Sequence, residues 1–259
     1  MNTSLASKSG GMLNKVPEVT IFFWIIKIMA TTVGETAADF LNVNLNFGLT
    51  KTSIVMGSLL LVALFLQIRA KRYIPWIYWV AVVLLSVFGT LITDNLVDNF
   101  AITLQTTTMV FSGALLATFI AWYLSEKTLS IHSIYTTRRE LFYWSAILFT
   151  FALGTAAGDL VAEGMRLGYG WSALAFGAVI GAVALAHYFL KLNAVLAFWI
   201  AYILTRPFGA SWGDLLSQPV TSGGLGLGTV VTSLIFLTTI LGLIVYMTAA
   251  QRKPAISEA

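Results

Sequence analysis

The sequence contains no cysteine and only two histidines, His132 and His187. The first absence excludes disulfides, thiolate nucleophiles, zinc ribbons and iron–sulfur clusters, and the second leaves little for a haem or a histidine-based metal site. Charge is scarce too: 10% of the 259 residues are charged, against roughly 25% in a soluble domain. No HExxH, nucleophile–base constellation or nucleotide motif occurs, so an enzyme is not expected. The glycine-rich run Ser222–Gly228 lacks the Lys-Ser/Thr of a phosphate loop and is expected to be a flexible turn. With a net charge of +4, nucleic acid is a conceivable partner, but in a chain this apolar the basic residues belong first to loops. No nucleic-acid partner is expected.

What is present is hydrophobic: 58% of residues, with a mean hydropathy of +0.85. Apolar runs of about 18 residues or more recur, each long enough to cross a bilayer core of about 30 Å at 1.5 Å per residue. Eight helices are expected, near residues 19–41, 52–68, 74–96, 107–124, 141–161, 171–190, 194–215 and 229–246. An even number of spans puts both chain ends on one side. Lys8, Lys15, Arg69, Lys71, Arg72, Lys127, Arg138, Arg139, Lys191, Arg252 and Lys253 fall on that side, while Lys51 and Arg166 fall opposite. By the positive-inside rule the termini are expected in the cytoplasm, and the membrane to be a bacterial inner membrane. Residues 1–18 and 251–259 are read as cytoplasmic tails flanking one transmembrane domain, 19–250. The pair Arg138-Arg139 is expected to touch anionic lipid.

A repeat runs through the odd-numbered helices. A Trp is followed ten residues later by Gly and five residues after that by Asp, as Trp24–Gly34–Asp39, Trp79–Gly89–Asp94, Trp144–Gly154–Asp159 and Trp199–Gly209–Asp214. An aromatic residue precedes each Trp: Phe23, Tyr78, Tyr143 and Phe198. Small residues, Gly57, Ser112, Gly177 and Thr232, stand eighteen residues past each Asp in the even helices, where they permit close packing. The four copies, near 19–72, 73–135, 136–192 and 193–250, are read as parallel helical hairpins. The fold class is therefore an all-α membrane protein, its eight transmembrane helices arranged about a pseudo-fourfold axis normal to the membrane. A monomer or a homodimer is expected. The Trp residues, one turn into their helices, are expected in an aromatic belt at the membrane surface.

This pattern resembles a bacterial family of integral membrane proteins defined by a tandem repeat of unknown function, with four copies of two transmembrane stretches and a characteristic Trp. The resemblance covers about residues 17 to 250. It implies the topology and no activity.

Seven of the eleven acidic residues share one address: Glu35, Asp39, Asp94, Asp98, Asp159, Glu163 and Asp214 all fall in the outer halves or outer ends of the odd helices. Charge inside a bilayer costs about 2.5–3.5 kcal/mol at the centre on insertion scales, so such groups face a partner, water or the bundle interior. Glu35 with Asp39, Asp94 with Asp98, and Asp159 with Glu163 are spaced i, i+4, which stacks both carboxylates on one helix face. In the fourth repeat Gln218 stands where a second acid would be. Like charges so close repel unless a cation or a proton intervenes. The seven are read as a cation site, and oxygen ligands without Cys or His suit a divalent ion such as Mg²⁺, Mn²⁺ or Ca²⁺. That ion is cargo; no resident cofactor is expected.

Two basic residues break the symmetry. Lys27 stands where the other copies have Val82, Ile147 and Tyr202, and Arg206 where they have Thr31, Ser86 and Phe151. One of the two is expected to pair with a carboxylate of another repeat, the bland alternative for Lys27 being a stem that reaches back to the interface. Helix 7 is expected to break at Pro207 and Gly209, as discontinuous helices do at substrate sites. The leading function is a secondary transporter exporting an inorganic, divalent metal cation in exchange for protons. A membrane scaffold or sensor, or a passive cation channel, is the alternative.

Overall fold

Every one of the eight apolar stretches is helical, and no strand occurs among the described residues, 14–252, of this computed structural model. The long helices are α1 (Ile21–Asp39), α2 (Leu49–Arg69), α3 (Pro75–Asp94), α4 (Leu104–Glu126), α5 (Thr137–Asp159), α6 (Tyr169–Phe189), α7 (Ala194–Ser217) and α8 (Thr229–Arg252). All eight are long and apolar enough to cross a membrane. Their starts are written in the sequence. Thr20, Thr103, Thr136 and Asn193 accept backbone N–H groups of the first turn of α1, α4, α5 and α7, and Pro75 opens α3 where no N–H is needed.

The far ends, opposite the chain termini, are alike in three repeats. After Asp39, Asp94 and Asp159 the helix widens into one π turn, Phe40–Asn44, Asn95–Asn99 and Leu160–Gly164. A left-handed residue, Asn46, Ala101 or Arg166, then turns the chain at the same register each time. The fourth repeat ends differently. Pro219 cannot continue α7, and the glycine-rich run folds back onto it: Leu225, Leu227 and Gly228 donate backbone N–H to the carbonyls of Leu215, Leu216 and Ser217 at 2.6, 3.0 and 3.2 Å. The run is a helix cap, not the flexible turn expected. Gly224 lies so close to the Gln218 backbone that a Cβ would sit 2.9 Å from its Cα.

The helices form two layers. In the apolar windows of α1, α3, α5 and α7, 61–67% of residues are buried, against 11–22% in α2, α4, α6 and α8. The inner four close on themselves, with α3 and α7 each packed against both α1 and α5. The outer helices correct the hairpin reading. Each leans on the inner helix of the next repeat, α2 on α3, α4 on α5, α6 on α7, and α8 on α1. Hydropathy assigns a span but not its neighbour, so this exchange was not legible.

The repeated glycine explains how the inner helices approach one another. Gly34 lies against Ser86, Gly89 against Phe151, Gly154 against Arg206 and Gly209 against Thr31. In every case the glycine of one repeat makes room for the residue seven past the Trp in the next, and the fourth repeat serves the first. Aromatic side chains follow the same rule. Phe23 packs on Trp79, Tyr78 on Trp144, Tyr143 on Trp199 and Phe198 on Trp24, with ring centroids 5.5–6.3 Å apart. Trp79, Trp144 and Trp199 are buried and Trp24 is half-buried. The repeated Trp is thus a joint between repeats, where a surface belt was expected: four neighbouring aromatics offer more contact than lipid headgroups do.

The tail reading also needs correction. Lys15 and Val16 are buried, and Lys15 Nζ meets Glu140 at 2.6 Å and the Ile68 carbonyl at 2.9 Å. Gln67 Nε2 donates to the other Glu140 oxygen and to the Lys15 carbonyl, both at 3.2 Å. This segment ties the end of α2 to the start of α5, so the packed bundle begins before residue 19. Nearby, Arg139 is held by Glu126 at 2.8 Å, leaving Arg138 as the exposed member of the basic pair. His187 Nδ1 lies 2.8 Å from the Leu192 carbonyl and finishes α6.

Candidate functional site

Arg206 is fully buried in the inner ring. Its Nη2 donates to Glu35 Oε2 at 2.9 Å, to Thr155 Oγ1 at 2.7 Å and to Thr90 Oγ1, while Nη1 reaches the Thr31 carbonyl at 3.5 Å. Glu35, Thr90 and Thr155 occupy one register, eleven residues past the Trp of the first, second and third repeats. In the fourth that register holds Ala210. One cation from the fourth repeat therefore gathers an equivalent side chain from each of the other three. The expected pairing of an intramembrane base with an acid of another repeat is met by Arg206 with Glu35.

The helix break expected at Pro207 and Gly209 does not occur. α7 runs unbroken through Arg206-Pro207-Phe208-Gly209. A proline removes one hydrogen bond, and here the surrounding helices hold the turn: Pro207 packs beside Gly154 and Gly158, and Gly209 against Thr31. The function of the sequence Arg-Pro-x-Gly is close packing around the guanidinium.

Lys27 meets no carboxylate among the described residues. Its Nζ donates to the Tyr202 carbonyl at 3.1 Å and to Thr205 Oγ1 at 2.7 Å, and lies 4.1 Å from the ring centre of Tyr202 and 4.9 Å from that of Phe151. It is fully buried, so the stem does not reach back to the interface. One layer closer to the chain termini, Tyr78 and Tyr143 share a 2.5 Å hydroxyl–hydroxyl hydrogen bond. Thr205 and this tyrosine pair escaped the sequence reading; the aromatic register before each Trp was the available signal.

The acids are brought to one end, but not to one point. Among the described residues, no three acidic or histidine side chains gather closely enough to hold a metal ion. The seven carboxylates expected as ligands thus do not stand as one cluster among these residues. Glu35 sits one helical turn deeper than the repeat aspartates and is taken by Arg206. Asp39 accepts from Gln218 Nε2 at 3.0 Å, so the residue that replaces an acid in the fourth repeat satisfies an acid of the first. Asp98 and Glu163 lie on the π turns, exposed, and Glu163 accepts from the Tyr169 hydroxyl at 3.0 Å. Asp94 and Asp159 are half-buried and Asp214 is buried. The four repeat aspartates form a loose acidic layer above a single ion pair.

Residues 22–73, 77–128, 142–193 and 197–253 each match the Repeat of Unknown Function (DUF347). No curated protein and no solved structure matches the chain.

Proposed function

Because the chain belongs to the family built on that repeat, whose description assigns no activity, we propose its function from the site alone: proton-coupled transport of an inorganic, divalent cation across the membrane. The observation that carries this reading is the Arg206–Glu35 pair, buried beneath an acidic layer and held by hydroxyls from two further repeats. The ring of neighbour contacts that closes from the fourth repeat onto the first supports a pseudo-fourfold axis along the membrane normal, and the basic residues gathered on the terminal side support cytoplasmic termini; the membrane is read as a bacterial inner one and the direction as export.

The chemistry rests on competition for one carboxylate. At an effective dielectric of about 20, two unit charges 4 Å apart interact by about 4 kcal/mol. A divalent ion entering among Asp39, Asp94, Asp159 and Asp214 offers Glu35 a stronger partner than Arg206, and a proton on Glu35 weakens its hold on either. Cation and proton then exclude each other at Glu35. A passive channel is disfavoured, because Arg206 places a guanidinium in the bundle interior. The dispersed aspartates mean that the incoming ion itself draws the ligands together. A non-transporting scaffold or sensor is the second reading, favoured by the individual partners found for Asp39 and Glu163.

The test is flux into proteoliposomes for Mn²⁺, Mg²⁺, Ca²⁺, Co²⁺ and Zn²⁺, with and without a pH gradient, for wild type and Asp159→Asn. Gradient-dependent flux of at least one ion, reduced by about tenfold or more in the variant, is expected, a factor that corresponds to 1.4 kcal/mol. Flux that ignores the gradient indicates a channel. No flux of any ion indicates the scaffold.

A further inference from the structure

On the lipid-facing side, α2, α3 and α5 enclose an apolar groove of about 570 Å³. Leu61, Leu64 and Ile68 form one wall, Leu141, Ser145 and Leu148 the other, and Leu85 and Phe88 the floor. Gly57 and Ser58 are the small residues of the α2 wall, and Gly57 lets α2 approach Phe88, whose ring a Cβ there would meet at 2.8 Å. The groove runs from Ser53 to Ile68, about 22 Å at 1.5 Å per residue. Its lining is apolar apart from the hydroxyls of Ser53, Ser58 and Ser145, which suits a hydrocarbon chain.

The end near the chain termini is closed and charged. Gln67 to Glu140 and Lys15 to both Ile68 and Glu140 stitch α2 to α5 there. Two arginines stand at this same end, Arg69 at the end of α2 and Arg138 at the start of α5. Arg138 shares one helix stripe with Leu141, Ser145 and Leu148, and its side chain is 70% exposed, with Glu126 3.7 Å away and already held by Arg139. Arg69 follows Ile68, is exposed, and stacks over Phe65 at 5.0 Å with no acidic partner among the described residues. Guanidinium forks are matched to phosphate.

We propose that this groove is a binding site for one anionic phospholipid, its acyl chain between α2 and α5 and its phosphate at Arg69 and Arg138. The site is independent of any transport activity. It is tested on the full chain purified in mild detergent and delipidated, by native mass spectrometry after addition of phosphatidylglycerol or phosphatidylcholine. One phosphatidylglycerol per chain is expected to be retained, with at least about tenfold preference over phosphatidylcholine, matching 1.4 kcal/mol. Arg69→Ala with Arg138→Ala, both exposed and outside the core, abolishes the preference, and Ser145→Trp, which fills the groove from its exposed rim, abolishes retention. Equal retention of the two lipids, retention unaffected by Ser145→Trp, or a second copy of the chain in place of lipid each overturns the proposal.

Discussion

Replacing Arg206 with alanine is expected to destabilise the protein by about 3–5 kcal/mol, the range for removing one partner of a buried ion pair. The loss comes from what is left behind more than from what is removed. Glu35, 6% exposed, is left buried without its guanidinium partner, and the hydroxyls of Thr90 and Thr155 lose the donor that brings three repeats together. Arg206→Met combined with Glu35→Gln removes both charges and preserves volume, so the double variant is expected to recover most of the loss. Unfolding in mixed micelles, followed by the fluorescence of the eight tryptophans, measures all three. A single variant as stable as wild type means that the pair contributes nothing to holding the ring.

Gly154→Leu is expected to cost about 3 kcal/mol, at the upper end for overpacking. A Cβ at this position lands on the Arg206 stem and within 3.0 Å of Pro207 Cδ, both crowded against neighbouring helices. The stem has no other route to Glu35, so the substitution displaces the ion pair as well as the backbone. Gly181 supplies the comparison. It lies in α6 with no atom within 4 Å of a Cβ, so Gly181→Ala is expected to be neutral or stabilising by up to about 1 kcal/mol, as glycine-to-alanine changes in open helix are. Equal losses at the two sites in the same unfolding assay contradict the close-approach role of the repeated glycine.

The spans, the repeat and the intramembrane acid–base partnership were legible because each follows from hydropathy, spacing or the cost of an unpaired charge in the membrane. Arg206 had to find an acid, and only carboxylates at one end were available. Which acid it found was not legible from i, i+4 pairing. Grouping Glu35 with Asp39 hid the fact that Glu35 shares its register with Thr90 and Thr155, the residues that join it around the guanidinium. Pro207 and Gly209 misled for a related reason. Local propensity favours a break, whereas the contacts with Gly154, Gly158 and Thr31 that keep α7 straight come from other repeats. That the seven acids do not gather at one point was not legible, because helix rotation decides whether side chains on different helices converge, and Asp98 and Glu163 lie exposed on the π turns. The repeated tryptophans were expected at a membrane surface and Lys15 in a cytoplasmic tail, yet packing across repeats buries Lys15, Trp79, Trp144 and Trp199 and half-buries Trp24.

Glu35 is where cation, proton and guanidinium are proposed to compete, so the direct measurement is proton movement during cation entry. Proteoliposomes holding a pH-sensitive dye and given an inward Mn²⁺ or Mg²⁺ gradient are predicted to turn alkaline inside as protons leave, and to stay unchanged with Glu35→Gln. Cation entry without any change of internal pH, or the same alkalinisation in Glu35→Gln, contradicts exchange at that carboxylate.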